Sequence, residues 1–562
     1  MSRAGHRRSI EGAAWGCVSS VLLLGCTAPQ GGDDPALEAA LPPAESTTSS
    51  RIRFRDAAGE LGLKFQAGIQ GRSPLNIAAL MGGGAGWLDL DGDGWEDLVL
   101  TGPAGVAFYR NETGRAFRDL TPQSGLDPKL RDVQGVAVGD FDADGRPDLL
   151  LTLLDGVRLY RNHGGHLEDT TRQAGLQLRR WTTSAAVADV DGDGTLDLFI
   201  GRYVHFRAGM PEFLRDGEAR LTLGPAAYEA DVGVLYRNDG RGHFQDITTA
   251  AGLSGSHGKT LGVSFADYDL DGDQDLYLAN DEVPCDFYVN DGRGHFRNAA
   301  LENGTALSAT GQPQAGMGVD WGDYNGDGLP DLVVTTFLTE PTSLYRQERG
   351  GLFTEESQTT GLLAATRRWT GFGVAFEDWD NDGRLDLLQA NGHVADQQDR
   401  VDAATGFRQP LQLFHNRGAQ FHDVSENAGP PFRDRAVGRA LAVADYDRDG
   451  RLDAVMANLT GPPVLLHNET QAKNWMGARL KGATPNREGI GAVLRLTTAS
   501  GTQTRLLTRS RSYLSSVPAE VRFGLGFDTA GVLEVRWPGG PIQRVGTLPA
   551  GKTHELTRPP KP

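Results

Sequence analysis

The pattern Asp-x-(Asp/Asn)-x-Asp-Gly-x-x-Asp occurs seven times along the 562 residues, and a chain that must accommodate seven such loops has few folds open to it. Carboxylates at positions 1, 3 and 5 of a tight loop converge on one point, glycine at position 6 permits the sharp turn, position 7 offers its carbonyl, and an aspartate at position 9 completes an oxygen shell. The candidate ligands are Asp89, Asp91, Asp93 and Asp97; Asp140, Asp142, Asp144 and Asp148; Asp189, Asp191, Asp193 and Asp197; Asp267, Asp269, Asp271, Asp273 and Asp275; Asp323, Asn325, Asp327 and Asp331; Asp378, Asp380, Asp382 and Asp386; and Asp445, Asp447, Asp449 and Asp453. They predict up to seven structural Ca2+ ions, since calcium takes about six to eight oxygens whereas magnesium prefers to keep its waters. No His or Cys lies inside a loop, which argues against zinc or copper. Acidic turns are the competing reading, but a turn needs one or two such residues, not four carboxylates at fixed offsets. Loop five, with Asn325 at its third position, should bind most weakly.

An EF-hand would need a Glu at position 12 and flanking helices. Position 12 is instead Leu100, Leu151, Ile200, Leu278, Val334, Gln389 or Met456. Short apolar runs such as GWL before a loop and LVL after it have strand length, so each loop should join two strands. The first positions of successive loops lie 51, 49, 78, 56, 55 and 67 residues apart, a spacing that suits a propeller or solenoid. A second signature follows each loop, as in YRNETGRAF from Tyr109, and reads as a hairpin into an outer strand. Each unit then has four strands, enough for a propeller blade. The seventh unit ends at Thr470 without its outer strand, and FRDAAGELGL at Phe54–Leu63 supplies the missing piece. The expected fold is therefore all-β: a closed seven-bladed propeller over residues 51–470, then a small β-sandwich-like domain over 471–557 with a short tail. Two units carry extra sequence, around Tyr203–Val232 and His393–Pro410, which is either inert padding or a ligand surface.

The net charge is −18, and the loops hold most of its origin: seven calcium ions would return about +14 and leave about −4. Nucleic acid is thereby disfavoured as a partner. Without metal, the carboxylates in each loop would repel one another, so stability should depend on calcium. Residues 1–26 combine Arg3, Arg7 and Arg8 with an apolar stretch from Ala13 to Leu24, too short to span a bilayer, and read as a signal peptide. Leu23-Leu24-Gly25-Cys26 resembles the lipobox of bacterial lipoproteins, which implies lipidation at Cys26, with simple secretion as the alternative. A lipid-anchored, extracytoplasmic chain on a flexible tether over 27–50 is expected, held in the cell envelope and most simply at the outer membrane. Cys285 stands alone in the mature body and reads as a small buried residue.

The loops and hairpins resemble the FG-GAP/VCBS repeats of integrin-type propellers. The tail segments NREGIGA at Asn486–Ala492, SRSYLS at Ser510–Ser515, FGLG at Phe523–Gly526 and VRWPGG at Val535–Gly540 resemble the ASPIC/UnbV domain. Together they are similar to a bacterial member of the cartilage acidic protein family. That resemblance implies a calcium-binding extracellular or envelope protein, and no defined biochemical activity.

Nucleophile elbows, metalloprotease helices and phosphate loops are absent from the sequence. His243 and His295 share one hairpin position, leaving His257 and His393 as the non-repeating histidines. The duplicated segments Arg179–Thr182 and Arg367–Thr370 place a Trp where it should pack between blades, or line a channel mouth with arginine. The expected function is a calcium-stabilised binding or adhesion protein for a protein or glycan ligand. The alternative is an envelope enzyme or accessory factor with a site at the propeller channel, using His257, His393 or Arg439.

Overall fold

A computed structural model describes residues 52–560, apart from 69, 70, 72, 74, 208, 217 and 218. The expected signal peptide, Cys26 and the tether over 27–50 lie outside the described residues. Among the described residues seven four-stranded sheets follow one another, each strand antiparallel to the next. The first sheet runs from an inner strand at Ala85–Leu88 through Asp97–Gly102 and Gly105–Asn111 to an outer strand at Phe117–Asp119. The seventh takes Gly438–Ala444, Asp453–Asn458 and Val464–Asn468 from the end of the repeats and Phe54–Asp56 from the start. Phe54 pairs with Asn468, so the chain closes its own ring as the split unit requires.

Alternation of apolar residues puts side chains on both faces of every sheet, and each face packs on the next blade. Trp87, Phe117 and Tyr446 fill the seam between blades one and seven, where the Trp87 indole also donates to Ala442 O at 3.1 Å. Comparable apolar clusters fill the seams between the other blades. Inner strands of neighbouring blades touch all the way round, including the first and the last.

The C-terminal part folds as two small sheets. Asn474–Lys481 lies between Val521–Gly526 and Lys552–Thr557, while Thr502–Leu506, Val493–Thr497, Ala530–Arg536 and Ile542–Pro549 form the other. This domain packs against the ring. It sits on the acidic-loop face of the ring, and its core continues into the seam between blades two and three. Each of the seven loops touches it. Arg479 Nη2 reaches Glu96 at 2.9 Å, Gly539 N donates to Gly272 O at 3.1 Å, Gly526 N donates to Asn381 O at 2.8 Å, and Arg522 Nη2 reaches Asp445 at 2.9 Å. Arg487, Pro485 and Arg505 meet loops two, three and five. The fit is close enough that a Cβ on Gly524 would lie 2.0 Å from Asp378 Oδ2.

From this domain the segment Ser510–Ser516 enters the centre of the ring. Ser515 and Ser516 run parallel to Ala85 and Gly86, Leu514 O accepts from Val136 N at 3.3 Å, and Leu514 N donates to Ser184 Oγ at 3.1 Å. Ser264 Oγ donates to Ser510 O at 3.2 Å, Ser512 exchanges backbone bonds with Val319, and Val374 N donates to Ser512 Oγ at 3.0 Å. Contact with the seventh inner strand completes the circle. The centre of the ring, where the alternative reading of the sequence would put an active site, is thus occupied by Ser510–Ser516. The motif SRSYLS gave no sign of this in the sequence because its partners lie up to 432 residues away, as Tyr513 Oη to Met81 O shows.

Candidate metal centres

Every acidic loop has the same backbone. Position 6 is left-handed in all seven, from φ 89° at Gly94 to φ 106° at Gly272, which glycine adopts freely. Position 4 is left-handed too, although its occupants are Gly92, Ala143, Gly192, Leu270, Gly326, Asn381 and Arg448. Holding a side chain such as Leu270 there costs about 1–2 kcal/mol, so something in the loop outweighs that strain. Sequence reasoning missed this position because its residue type varies while its conformation does not.

The carboxylates divide into two jobs. Position 9 ties the loop to the blade: Asp97 Oδ1 accepts from Asn111 N at 2.8 Å and Oδ2 from Leu90 N at 3.1 Å. Asp148, Asp197, Asp331 and Asp386 repeat both bonds. Outside loop four, position 1 lends one oxygen to the position-6 amide, as Asp89 Oδ2 does for Gly94 N at 2.8 Å; the other oxygen has no donor in loops one, two and five and accepts from Gly192 N, Asp382 N and Asp449 N in loops three, six and seven. Buried oxygens with no hydrogen-bond donor include Asp89 Oδ1, Asp140 Oδ1, both of Asp267, Asp323 Oδ1 and Asp380 Oδ1. In loops one, two and three, positions 1, 3 and 9 bring ligand oxygens within 4.8 Å of one another. Unpaired buried carboxylate oxygens facing one point are what a hard divalent cation would take up, so the donor set fits calcium. Loop five differs. Its Asn325 turns an amide donor onto Asp327 Oδ2 at 3.1 Å and so partly satisfies itself.

Burial, before any other cause, pushes these acids upward. The position-9 carboxyls of Asp97, Asp148 and Asp453 rise to about 8, and at position 1 Asp140 rises to about 6 and Asp378 to about 7, with neighbouring aspartates adding to the shift. Positive side chains offset part of this crowding. Arg110 spans Asp91 at 2.9 Å and Asp93 at 3.2 Å, Arg237 does the same in loop three, and Lys473 reaches Asp380 at 2.9 Å.

Two histidines enter the picture from outside the loops. His415 gathers with Asp380 and Asp382, and His467 with Asp447 and Asp449, each set with ligand atoms within 4.8 Å. They occupy the strand position held by Arg110, Arg161 and Arg237 in blades one to three, so at loops six and seven a histidine from the neighbouring strand joins the acidic cluster although none lies inside the loop. The signal was the change from YRN to FHN and LHN.

The asparagine after that position is a clamp rather than only a hairpin residue. Asn162 Nδ2 donates to Pro147 O of its own loop at 3.1 Å and to Leu90 O of the preceding blade at 2.9 Å. Asn238, Asn290, Asn416 and Asn468 repeat this, and Asn111 reaches Tyr446 O at 2.9 Å across the closure. Blade five has Gln347 instead, whose Oε1 is buried without a donor.

The residues singled out as possible catalysts have structural work. Arg439 is wholly buried and spends its guanidinium on the carbonyls of Leu80, Gly392, Gly438 and His393. Burial and then the Arg439 charge push His393 down to about 3, and its Nδ1 accepts from Ala395 N at 3.0 Å. His257 Nδ1 lies 2.7 Å from buried Asp286, which Ser256, Asn280 and Asn298 also bond. Burial raises the Cys285 thiol to about 11. Trp181 packs edge-on to Tyr203 at 5.0 Å and beside Phe206, beneath an insertion rather than between blades, and Arg180 is exposed. Trp369 lies between Arg368 and Arg435.

The long insertions meet over the ring face opposite the loops. Residues 203–231 carry a hairpin of Phe213–Asp216 and Ala219–Thr222, and residues 393–410 end in a strand paired with Arg435–Ala436. A third piece, before the first inner strand, adds the helical turn Ile77–Met81. Ser73 Oγ donates to Asp396 at 2.6 Å, Asn76 Nδ2 to Glu212 at 3.2 Å, and Arg220 N to Gln397 at 2.9 Å. A shared apolar cluster lies beneath them, with Ile77, Tyr203, Val394 and Tyr513 among its members. The insertions form one cap, not separate strings of padding. Among the described residues no helix is long and apolar enough to cross a membrane.

A family model for ASPIC and UnbV matches residues 482–562, and one for FG-GAP-like repeats matches 89–151, 153–200, 226–278 and 267–334. Cartilage acidic protein 1 of Mus musculus is 25% identical over 498 residues, covering 80% of this chain and 70% of that protein. The Xenopus tropicalis protein of the same name is 26% identical over 499 residues, covering 81% and 70%. Among solved structures, an Agrocybe aegerita lectin that recognises non-reducing terminal N-acetylglucosamine aligns with TM-score 0.37 and 19% identity, covering 66% of this chain and 84% of the lectin. YCF48 bound to D1 peptide aligns with TM-score 0.35 and 9% identity, covering 72% of this chain and 98% of that one.

Proposed function

The chain belongs to the FG-GAP-repeat proteins that carry a C-terminal ASPIC and UnbV domain and is homologous to cartilage acidic protein 1; from that premise we propose that it is an extracytoplasmic binding protein whose seven loops hold structural calcium and whose ligand surface is the cap on the opposite face. The observation that carries this reading is the division of the ring into two faces. One face is acidic, regular and covered by the chain's own domain, so calcium there acts on stability and docking. The other carries the long insertions into the repeat, welded among the described residues into one surface by side-chain bonds and a common core. Rigid scaffolds present binding sites on such loops. Lipidation at Cys26 would hold this surface away from the membrane on the 27–50 tether and agrees with an extracellular repeat protein.

Calcium would neutralise the carboxylates of each loop and stiffen the platform on which the C-terminal domain rests. The cap would then recognise a protein or glycan by shape and hydrogen bonding. A glycan and protein array probed with the full chain in calcium tests this. Binding lost on substituting exposed cap residues such as Arg215 and Arg408, with folding retained, is the expected result. Binding that survives every cap substitution would remove the cap from consideration. Incorporation of labelled palmitate, abolished by Cys26→Ser, tests the anchor.

A further inference from the structure

We propose that the seam between the C-terminal domain and blades one and seven is a second binding site, shaped for a small organic carboxylate that also carries a hydrogen-bond donor. A cavity of about 520 Å³ lies there, walled by Glu96 and loop seven on one side and by Trp475, Val517 and Arg522 on the other, with Arg511 of the channel plug at its back. That volume lies within the range of small-molecule sites, roughly 300–1,000 Å³.

Arg479, which also lines it, is paired with Glu96 and Glu520, but Arg522 and Arg511 differ from the structural arginines nearby. Arg439 and Arg509 use every guanidinium nitrogen, Arg509 on Glu488 and Val517 O. Arg522 does not. Its side chain is 8% exposed and stacks 4.1 Å over the Trp475 ring, and Nη2 alone is engaged, with Asp445 and Glu520. Nε and Nη1 have no partner, nor has Arg511 Nε, nor Glu96 Oε2. Leaving such donors and a carboxylate oxygen buried and unpaired costs free energy that a matching ligand would recover. A carboxylate suits the planar guanidinium fork, and a hydroxyl or ammonium group suits Glu96 Oε2. Val443, Leu452 and Val517 supply the apolar walls between. Exposed Lys552 stands at the rim, where it would draw in an anion.

This site is independent of the cap and of what the cap binds. The test is calorimetric titration of the full chain, in detergent with saturating calcium, against D-glucuronate, L-glutamate, D-glucose and inorganic phosphate. One of the two carboxylates should bind at one equivalent, glucuronate marking a hydroxyl donor and glutamate an ammonium. Arg522→Gln should weaken it at least about tenfold and Lys552→Glu about threefold, with glucose silent. No binding of either carboxylate overturns the proposal, as does phosphate binding that equals the carboxylates and ignores Arg522→Gln. Should Arg522→Gln fail to fold, Lys552→Glu decides, because its exposed side chain leaves the core untouched; unchanged affinity in that variant overturns the site.

Discussion

The two faces of this ring are built by opposite rules. On the acidic-loop face one motif repeats with the same left-handed backbone and, in five of seven loops, the same two-bond position-9 staple, and charge carries the architecture. On the cap face nothing repeats, and three unrelated insertions are joined by apolar packing beneath and a few polar bonds above. The difference teaches where stability and recognition reside: a face replicated seven times has little freedom to specialise, whereas the insertions can vary without disturbing the ring.

The largest effect expected from this division is the loss of calcium. Chelation of the full chain should lower its thermal midpoint on the order of 10 °C or more, since an ion bound only to the native state stabilises it and seven sites contribute. Differential scanning calorimetry with and without chelator measures the shift. An unmoved midpoint would remove the metal from the loops. The channel plug comes next. Leu514 is 1% exposed and packed among inner strands, so Leu514→Ala should cost about 3 kcal/mol in urea unfolding. A cost below about 1 kcal/mol would mean that the C-terminal domain merely rests on the ring.

Within one loop the two jobs of the carboxylates separate. Asp148 bonds two backbone amides through its two oxygens and also stands in the ligand cluster, so Asp148→Asn sets an amide donor against one of those amides and should cost about 2 kcal/mol even in chelator, and more in calcium. Asp142 Oδ1 accepts from Asp144 N at 3.1 Å, a bond that asparagine keeps, while its other oxygen lies beside Arg161. Asp142→Asn should therefore destabilise mainly in calcium, and its effect should shrink in chelator. Equal effects of the two variants in both conditions would erase the distinction between staple and ligand.

How much of this was legible in the sequence follows from the same contrast. Carboxylates at fixed offsets, the position-6 glycine and the split seventh unit could be read because they recur or complement each other in the chain. Position 4 could not, since Leu270 and Arg448 adopt a glycine-like backbone that their identity does not announce. The asparagine clamps recurred visibly, yet their inter-blade bonds need the neighbouring blade to be in place. His415 and His467 were overlooked because a ligand search confined to each loop ignores the strand beside it. The plug was hidden altogether: Leu514 meets Ser184 across 330 residues, and no local pattern records such a partner.

The smallest expected effect on stability lies on the cap and completes the test of the two-face division. Arg220 is exposed, stacked 4.6 Å over Phe213, and only its backbone amide holds Gln397. Truncating its side chain removes an exposed cation–π contact and leaves that amide bond in place. Arg220→Ala and Arg408→Ala should each change unfolding free energy by no more than about 0.5 kcal/mol, with calcium dependence unaltered. Any ligand retrieved by the array should nevertheless lose affinity for the pair. A large loss of stability would show that the cap carries the ring as the loops do; unchanged binding would move recognition off this face.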